Sequence, residues 1–156
     1  MFNMTIVSGR LPILPFNENS MIVFTSNSSL TRDRRLVMGR GAALSIRDAY
    51  PGLDSELGDI VYRTVEALGD YGLLCMKYEG TNIGAFQVKR HYILNARLDL
   101  LMKSTEMLIE VANQYERIDM NFPGIGLGRM KVDTVENIIC GLPDNVYVWK
   151  WKPGEE

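Results

Sequence analysis

The chain contains few cysteines and histidines, the residues that bind zinc or build disulfide frameworks. It has two cysteines, Cys75 and Cys140, and a single histidine, His91. The cysteines lie in apolar segments far apart in sequence and lack the spacing of a zinc site, so we expect buried, reduced thiols. The sequence therefore predicts no metal site, and we expect no cofactor.

Long apolar runs and a strong excess of one charge are also missing. No apolar run reaches about 18 residues and no charged-then-apolar leader occurs, so we expect a soluble, cytoplasmic protein without a membrane partner. The net charge of −2 argues against bulk electrostatic binding to nucleic acid. Any anion site must therefore be local.

The length and the apolar content predict one domain over residues 1–156. A chain of 156 residues with 46% hydrophobic residues can bury one ordinary core. Short runs rich in β-branched and aromatic residues, bounded by Gly, Pro, Asn or Asp, predict strands. These runs cover residues 5–8, 21–25, 60–64, 73–78, 83–88, 118–122 and 146–151.

Three helices are predicted between the strands. Apolar residues recur at three- and four-residue steps over 96–115. A second helix covers 42–50 and stops before Pro51, since proline disfavours helical conformation at the residue before it. The third begins at Asp133, where Asp133 and Glu136 have capping-box spacing, and ends at Gly141. The alternation of strands and helices indicates an α/β fold.

Two glycine-rich loops lie at strand-to-helix junctions. The stretch "NFPGIGLGRM" at 121–130 precedes the third helix, and "MGRGAAL" at 38–44 opens the second. Glycines let backbone amides approach a ligand and helix N-termini add positive potential, so two such loops suit a phosphate or diphosphate. We call the segment between the strand at 21–25 and the second helix the first loop, and the stretch at 121–130 the second. Local positive charge comes from the arginines of the first loop, namely Arg32, Arg34, Arg35 and Arg40.

A plainer interpretation of these loops stays open. Gly-x-Gly-x-Gly lacks the lysine and hydroxyl of a phosphate-binding P-loop and departs from the dinucleotide fingerprint Gly-x-Gly-x-x-Gly. Either loop alone is more often a tight turn. A run of arginines is usually a solvated loop.

Together, the two loops and the elements around them resemble the macro domain, a family that binds ADP-ribose. The resemblance covers nearly the whole chain: Asn27 after "MIVFT", "MGRGAAL" at 38–44, "NFPGIGLG" at 121–128 and the closing "VYVWKW". Along the chain, "MGRGAAL" is followed by "FQVKRH" before the long helix and then by "PGIGLG". This order of motifs looks most like that of the terminal ADP-ribose glycohydrolase branch. The resemblance implies a three-layer α/β/α domain with a mixed central sheet and a cleft at the strand C-termini.

The resemblance also implies ligand-binding residues. It puts Asn27 near the distal ribose, and Gly39, Arg40 and Gly41 along that ribose and the diphosphate. The second loop would wrap the diphosphate from the other side through Gly124, Ile125, Gly126, Leu127 and Gly128.

One position departs from the family at the adenine end. Macro domains commonly carry Gly-Asp after the first strand, whose carboxylate reads the adenine amino group, whereas this chain has Gly9-Arg10. Arginine cannot accept that hydrogen bond. Arg10 could instead stack on the base or meet a different headgroup. Trp149 or Trp151 could supply an aromatic platform, or could simply pack in the core.

For catalysis, the resemblance places Lys89 at the position of a lysine that attacks the opened distal ribose. The assisting aspartate is replaced by Met130, and Asp133 nearby is better explained as a helix N-cap. His91 is an alternative general base. A lysine nucleophile needs a lowered pKa or a partner base.

Three functions therefore stay open. The first is a hydrolase acting on an ADP-ribosyl bond or on ADP-ribose 1″-phosphate, with Asn27 and Lys89 as catalytic residues. Water held between the ribose and a phosphate is an alternative nucleophile. The second is a binding module for ADP-ribose or a related NAD-derived nucleotide, without chemistry. The third is an α/β interaction domain that has lost the nucleotide site.

Overall fold

The computed structural model describes residues 4–124 and 129–151. Six strands and four helices follow one another along the chain: β1 (Thr5–Ser8), β2 (Ser20–Ser26), α1 (Gly41–Ala49), α2 (Leu53–Thr64), β3 (Leu73–Tyr78), β4 (Thr81–Gln87), α3 (Leu98–Ala112), β5 (Arg117–Asn121), α4 (Val132–Ile139) and β6 (Val146–Lys150).

The strands form one mixed sheet in the order β1-β6-β5-β2-β4-β3. Every neighbouring pair is parallel except β3 and β4, which are antiparallel. These two strands are joined by a tight hairpin whose turn residues, Glu79 and Gly80, both have positive φ angles. Consequently the carboxyl ends of β1, β6, β5, β2 and β4 lie along one edge of the sheet.

Both faces of the sheet are covered by helices. Strand β2 is buried on both sides: Met21 and Val23 pack in the core under α3 and α4, while Ile22 and Phe24 pack in the core under α1 and α2. An unbroken apolar run of this kind is typical of a strand buried between two helical layers. The predicted three-layer α/β/α fold with a mixed central sheet is therefore confirmed.

The predicted strand over 60–64 is wrong, because these residues form the last turns of α2. Leu53, Leu57 and Val61 recur every four residues and all are fully buried, so the helical period extends through this segment. The β-branched and aromatic residues of "IVYRT" suggested a strand, but tertiary packing of this apolar face prevailed over local propensity.

Two local predictions are also wrong. Asp133 does not cap α4: the N-cap is Lys131, no side chain makes a capping hydrogen bond, and Asp133 lies in the first helical turn. Cys75 and Cys140 are exposed rather than buried. Cys75 lies on β3, the edge strand, where exposed residues alternate with less exposed ones. The apolar composition of this segment did not reveal which of its residues lie on the exposed face.

None of the helices within 4–124 and 129–151 has the length and apolar character needed to cross a membrane.

Candidate functional site

A cleft of about 890 Å³ runs along the edge of the sheet where the parallel strands end. Lining residues follow each of the five strands whose carboxyl ends lie at this edge. In the order of the sheet they include Arg10 after β1, Trp151 after β6, Gly124 after β5, Asn27 after β2 and Lys89 after β4. Neighbouring strands lie about 4.8 Å apart, so these five positions span roughly 19 Å. The cleft lies where the sequence predicted it, at the strand C-termini.

The cleft is positively charged on a protein that is weakly acidic overall. Arg10, Arg40, Lys89 and Arg129 line it, and no aspartate or glutamate is found among its described lining residues. The net charge of the chain is −2, so this concentration of cations is local. Such an arrangement favours an anionic ligand.

The N-terminus of α1 forms one wall of the cleft. Its N-cap is Arg40 in an extended conformation, no side chain caps the helix, and the first turn has no acidic residue. The first intrahelical bond is donated by the Leu44 amide, so the amides of residues 41 to 43 have no intrahelical acceptor. Gly41 has a φ of 58°, which glycine adopts at little cost. Unbonded amides and the helix dipole together suit a phosphate group.

Asn27 is held in a defined orientation at the end of β2. It is 7% exposed, its Nδ2 donates to the Val37 carbonyl at 3.1 Å, and its Oδ1 accepts from the Ser29 amide at 2.8 Å. The Asn27 carbonyl accepts a hydrogen bond from the Tyr71 hydroxyl at 2.7 Å. The loop after β2 therefore presents a fixed amide to the cleft.

Lys89 is 9% exposed and lines the cleft just after β4. Burial lowers the pKa of its ammonium group, because the charged form loses hydration. In the part of the chain that the structure describes, no carboxylate forms an ion pair with it. Both conditions increase the fraction of neutral amine near pH 7, which is what a lysine nucleophile requires.

Gly124 begins the second glycine loop with a φ of 76°. Its carbonyl accepts from the Met130 amide at 2.6 Å, and a Cβ at this position would lie 2.9 Å from the Met130 Sδ. Arg129, whose φ is 61°, lines the cleft beyond the loop. The predicted diphosphate contacts of Ile125, Gly126, Leu127 and Gly128 lie outside the described residues.

Aromatic side chains line the β1 and β6 end of the cleft. The Arg10 guanidinium stacks over the Trp151 ring at 4.0 Å from its centroid. Trp149 also lines the cleft, and its Nε1 donates to the buried Asp119 carboxylate at 2.9 Å. Both tryptophans therefore line this end of the cleft.

Other residues considered from the sequence lie elsewhere. His91 stacks on Tyr92 at 4.6 Å and is not part of the described cleft lining. Among the remaining arginines of the first loop, Arg34 stacks over the Tyr62 ring and Arg35 pairs with Asp33. Of that arginine run, only Arg40 lines the described cleft.

Sequence reasoning missed several residues of the cleft, including Thr25, Tyr92, Asn121 and Arg129. Asn121 could have been found, because it is a polar residue at the end of a predicted buried strand, where α/β sheets carry their ligand-binding side chains. Tyr92 carries no such signal. Its place in the cleft depends on the loop between β4 and α3.

Comparison with solved structures shows which fold this is. The chain is similar to the macrodomain of Thermus aquaticus DarG, with a TM-score of 0.72 and 20% identity over 96% of this chain and 98% of that one. For the macrodomain of Mycobacterium tuberculosis DarG the TM-score is 0.73 at 21% identity, over 99% and 100% of the two chains. Thermosipho africanus DarTG in complex with ADP-ribose matches with a TM-score of 0.74 at 18% identity, over 99% of this chain and 42% of that one.

No family model and no curated protein matches the sequence. At identities of 18 to 21%, the likeness to the solved structures concerns the fold. The chain therefore has the macrodomain fold, and the resemblance found in the sequence is confirmed at that level.

Proposed function

We propose that this chain binds ADP-ribose, or a related ADP-ribosyl compound, in the cleft and hydrolyses the bond at its distal ribose. The order of side chains along the sheet edge carries the proposal: Arg10 and Trp151 at one end, Gly124 near the middle, and Asn27 and Lys89 at the other end. A nucleotide diphosphate sugar has the same order, since a flat base is followed by an anionic diphosphate and then by a hydroxyl-rich ribose.

The middle of the cleft supplies the partners of a diphosphate. The residues at the start of α1, Arg40 and Gly124, which begins the second glycine loop, all line the cleft. Charge-assisted hydrogen bonds contribute about 1.5 to 3 kcal/mol each. A few of them support micromolar affinity. Thermosipho africanus DarTG, which shares the fold, was solved in complex with ADP-ribose.

The proposed hydrolysis uses Lys89 as nucleophile. The neutral amine attacks C1″ of the distal ribose, the bond to the linked group breaks, and that group leaves with the amine proton. The resulting glycosylamine opens to an imine, and water converts the imine to free ADP-ribose and regenerates the amine. Asn27, whose side chain is fixed by Val37 and Ser29, would orient the ribose for this attack.

A binding module without chemistry is the second candidate. The observation that favours it is that no carboxylate lies among the described residues of the cleft, so no acidic side chain is in place there to move protons. Asp133 is exposed in the first turn of α4 and does not line the cleft.

Isothermal titration calorimetry tests the binding step. We expect ADP-ribose to bind with a micromolar Kd, well below the values for AMP and NAD. Arg40→Ala should weaken binding several-fold, whereas Arg63→Ala, a matched change on the exposed surface of α2, should not alter it. If ADP-ribose gives no heat, the proposed function is wrong although the fold stands.

Turnover and covalent trapping separate the two candidates. With an ADP-ribosylated substrate, cyanoborohydride should reduce the imine and leave a stable ADP-ribosyl adduct on Lys89. Lys89→Arg should bind ADP-ribose but lose turnover and the adduct. Peptide mapping must show the adduct at Lys89 rather than at exposed Lys77. If the unmodified protein binds ADP-ribose without turnover, the hydrolase is excluded and the binding module is the remaining candidate.

A further inference from the structure

Three consecutive apolar side chains are exposed in the loop between β4 and α3. Tyr92, Ile93 and Leu94 are 49%, 70% and 55% exposed. We call these three residues the apolar tip. Tyr92 and Ile93 also line the cleft, and so does Lys89 in the same loop. The apolar tip therefore adjoins the part of the cleft that contains the proposed nucleophile.

Hydrogen bonds hold this loop against the loop that follows β2. The Arg90 carbonyl accepts from the Ser28 amide at 3.0 Å. The Tyr92 amide donates to the Ser29 Oγ at 3.0 Å. Asn27, which precedes these serines, lines the cleft. The apolar tip is therefore attached to the end of the cleft where we propose that the distal ribose binds.

Contacts within the loop order the tip itself. The Leu94 amide donates to the His91 carbonyl at 3.0 Å, and the Ile93 amide donates to the His91 Nδ1 at 3.2 Å. The rings of His91 and Tyr92 stack with their centroids 4.6 Å apart. A surface ordered in this way loses little conformational entropy when a partner covers it. Contiguous exposed apolar residues are typical of such an interaction surface.

The two arginines that flank the tip in sequence are paired with acidic residues. Asp70 accepts two hydrogen bonds from the Arg90 guanidinium, at 2.7 and 3.0 Å. Arg97 pairs with Asp99 and with Asp70. Nucleic acids are bound mainly through cations that neutralise their phosphates, and these two cations are already neutralised. The tip therefore suits an apolar stretch of polypeptide better than a nucleic acid.

We propose that the apolar tip selects ADP-ribosylated polypeptides in which apolar residues flank the modified side chain. This inference rests on the proposed function and specifies what surrounds the bond that is bound and cleaved. In that function the linked group is attached to C1″, where Lys89 attacks, so the polypeptide leaves the cleft beside this lysine. The tip follows Lys89 in the same loop, and its exposed side chains lose contact with water when apolar flanking residues cover them.

Calorimetry with two ADP-ribosylated peptides tests the selection on the full chain. The peptides carry the same linkage and differ only in the flanking residues, which are leucines in one and serines in the other. The Lys89→Arg variant keeps the linkage intact during the titration. We expect the leucine peptide to bind at least about fivefold more tightly, since burial of part of one leucine side chain corresponds to such a factor.

The other outcomes separate this inference from the proposed function. Equal binding, or tighter binding of the serine peptide, overturns the inference and leaves the proposed function standing. An ADP-ribosylated oligonucleotide that binds more tightly than the leucine peptide, and loses this gain as salt is raised, overturns it in favour of a nucleic-acid partner. If the unmodified chain does not bind ADP-ribose, the inference and the proposed function are both wrong.

Changes in the tip assign the selection to its side chains. In the same Lys89→Arg background, Ile93→Ser with Leu94→Ser should bring the ratio of the two peptide affinities close to one. Leu14→Ser removes a leucine that is 71% exposed in the loop between β1 and β2, and it should keep the ratio. An unchanged ratio in the double variant overturns the role of the tip. If the double variant does not fold, Leu94→Ser alone should lower the ratio, and a ratio unchanged there overturns the role equally.

Discussion

Asn121, the last residue of β5, is bonded to Thr25 of β2 through both ends of its side-chain amide. Oδ1 accepts from the Thr25 amide at 2.9 Å and Nδ2 donates to the Thr25 Oγ1 at 2.9 Å. The paired residues of the two strands end at Val23 and Met120, so these side-chain bonds continue the connection beyond them. They join the strand ends that lead to Asn27 and Gly124.

Replacing Asn121 by alanine should destabilise the fold. The substitution removes two hydrogen bonds and leaves a partly buried amide without its partner, which costs about 1 to 3 kcal/mol. Urea unfolding should show the lower free energy of unfolding. Asn137→Ala, on the exposed face of α4, is the control and should stay within about 0.5 kcal/mol of wild type. Equal stability of both variants would show that the Asn121 bonds contribute nothing.

Gly124→Ala and Gly80→Ala should separate backbone strain from an effect on the cleft. Both glycines have φ near 80°, so alanine should cost each variant about 1 to 2 kcal/mol of stability. A Cβ at Gly80 meets nothing within 4 Å, whereas one at Gly124 meets the Met130 Sδ at 2.9 Å. Calorimetry should show weaker ADP-ribose binding for Gly124→Ala only. Equal affinities would mean that this turn does not shape the ligand site.

Gln87→Glu should be among the more damaging single-atom changes. The buried Gln87 accepts from the Tyr71 and Gly72 amides, and its Nε2 donates to the carbonyls of Gly69 and Lys89. A carboxylate would place a second oxygen against those carbonyls, and an uncompensated buried charge costs about 3 to 5 kcal/mol.

Thermal unfolding at pH 7 checks this expectation for Gln87→Glu. Gln114→Glu makes the same chemical change at an exposed position just after α3 and should leave the melting temperature almost unchanged. A Gln87→Glu variant as stable as wild type would show that this network does not hold the strand ends together.

Lys89→Met should stabilise the protein while removing the proposed nucleophile. Burial lowers the pKa of Lys89 from its usual 10.5, so the folded chain binds this proton less readily than the unfolded chain. Below the lowered pKa the folded protein carries the full cost of a buried charge. Between that pKa and 10.5 the unfolded state binds more protons, so wild-type stability rises with pH.

The gain from Lys89→Met should therefore be largest near neutral pH and should shrink as the pH approaches 10.5. Melting temperatures across this range measure it. Lys77→Met, at an exposed position on β3, is the control and should show no such dependence. A Lys89→Met protein less stable than wild type at pH 7 would contradict the assigned cause of the pKa shift.

Most elements were predictable because their signals are local. The strand at 5–8 was predicted at the observed residues, and the long helix was predicted because its apolar residues recur with the helical period. The segment at 60–64 was not, since local β propensity and the apolar face of α2 pointed to different structures. The apolar face of α2 packs in the same core as Leu36 and Phe24, and this packing stabilises the helix over a strand.

For the site, the sequence alone determined that each glycine loop follows a buried strand and precedes a helix. Glycines and the ends of apolar strands can both be recognised from the order of residues. Only the tertiary structure decided that Arg10, Trp151, Gly124, Asn27 and Lys89 lie in this order along one edge. Strand order depends on long-range pairing, and the burial that lowers the pKa of Lys89 depends on the residues packed around it. Neither property is contained in a local stretch of the chain.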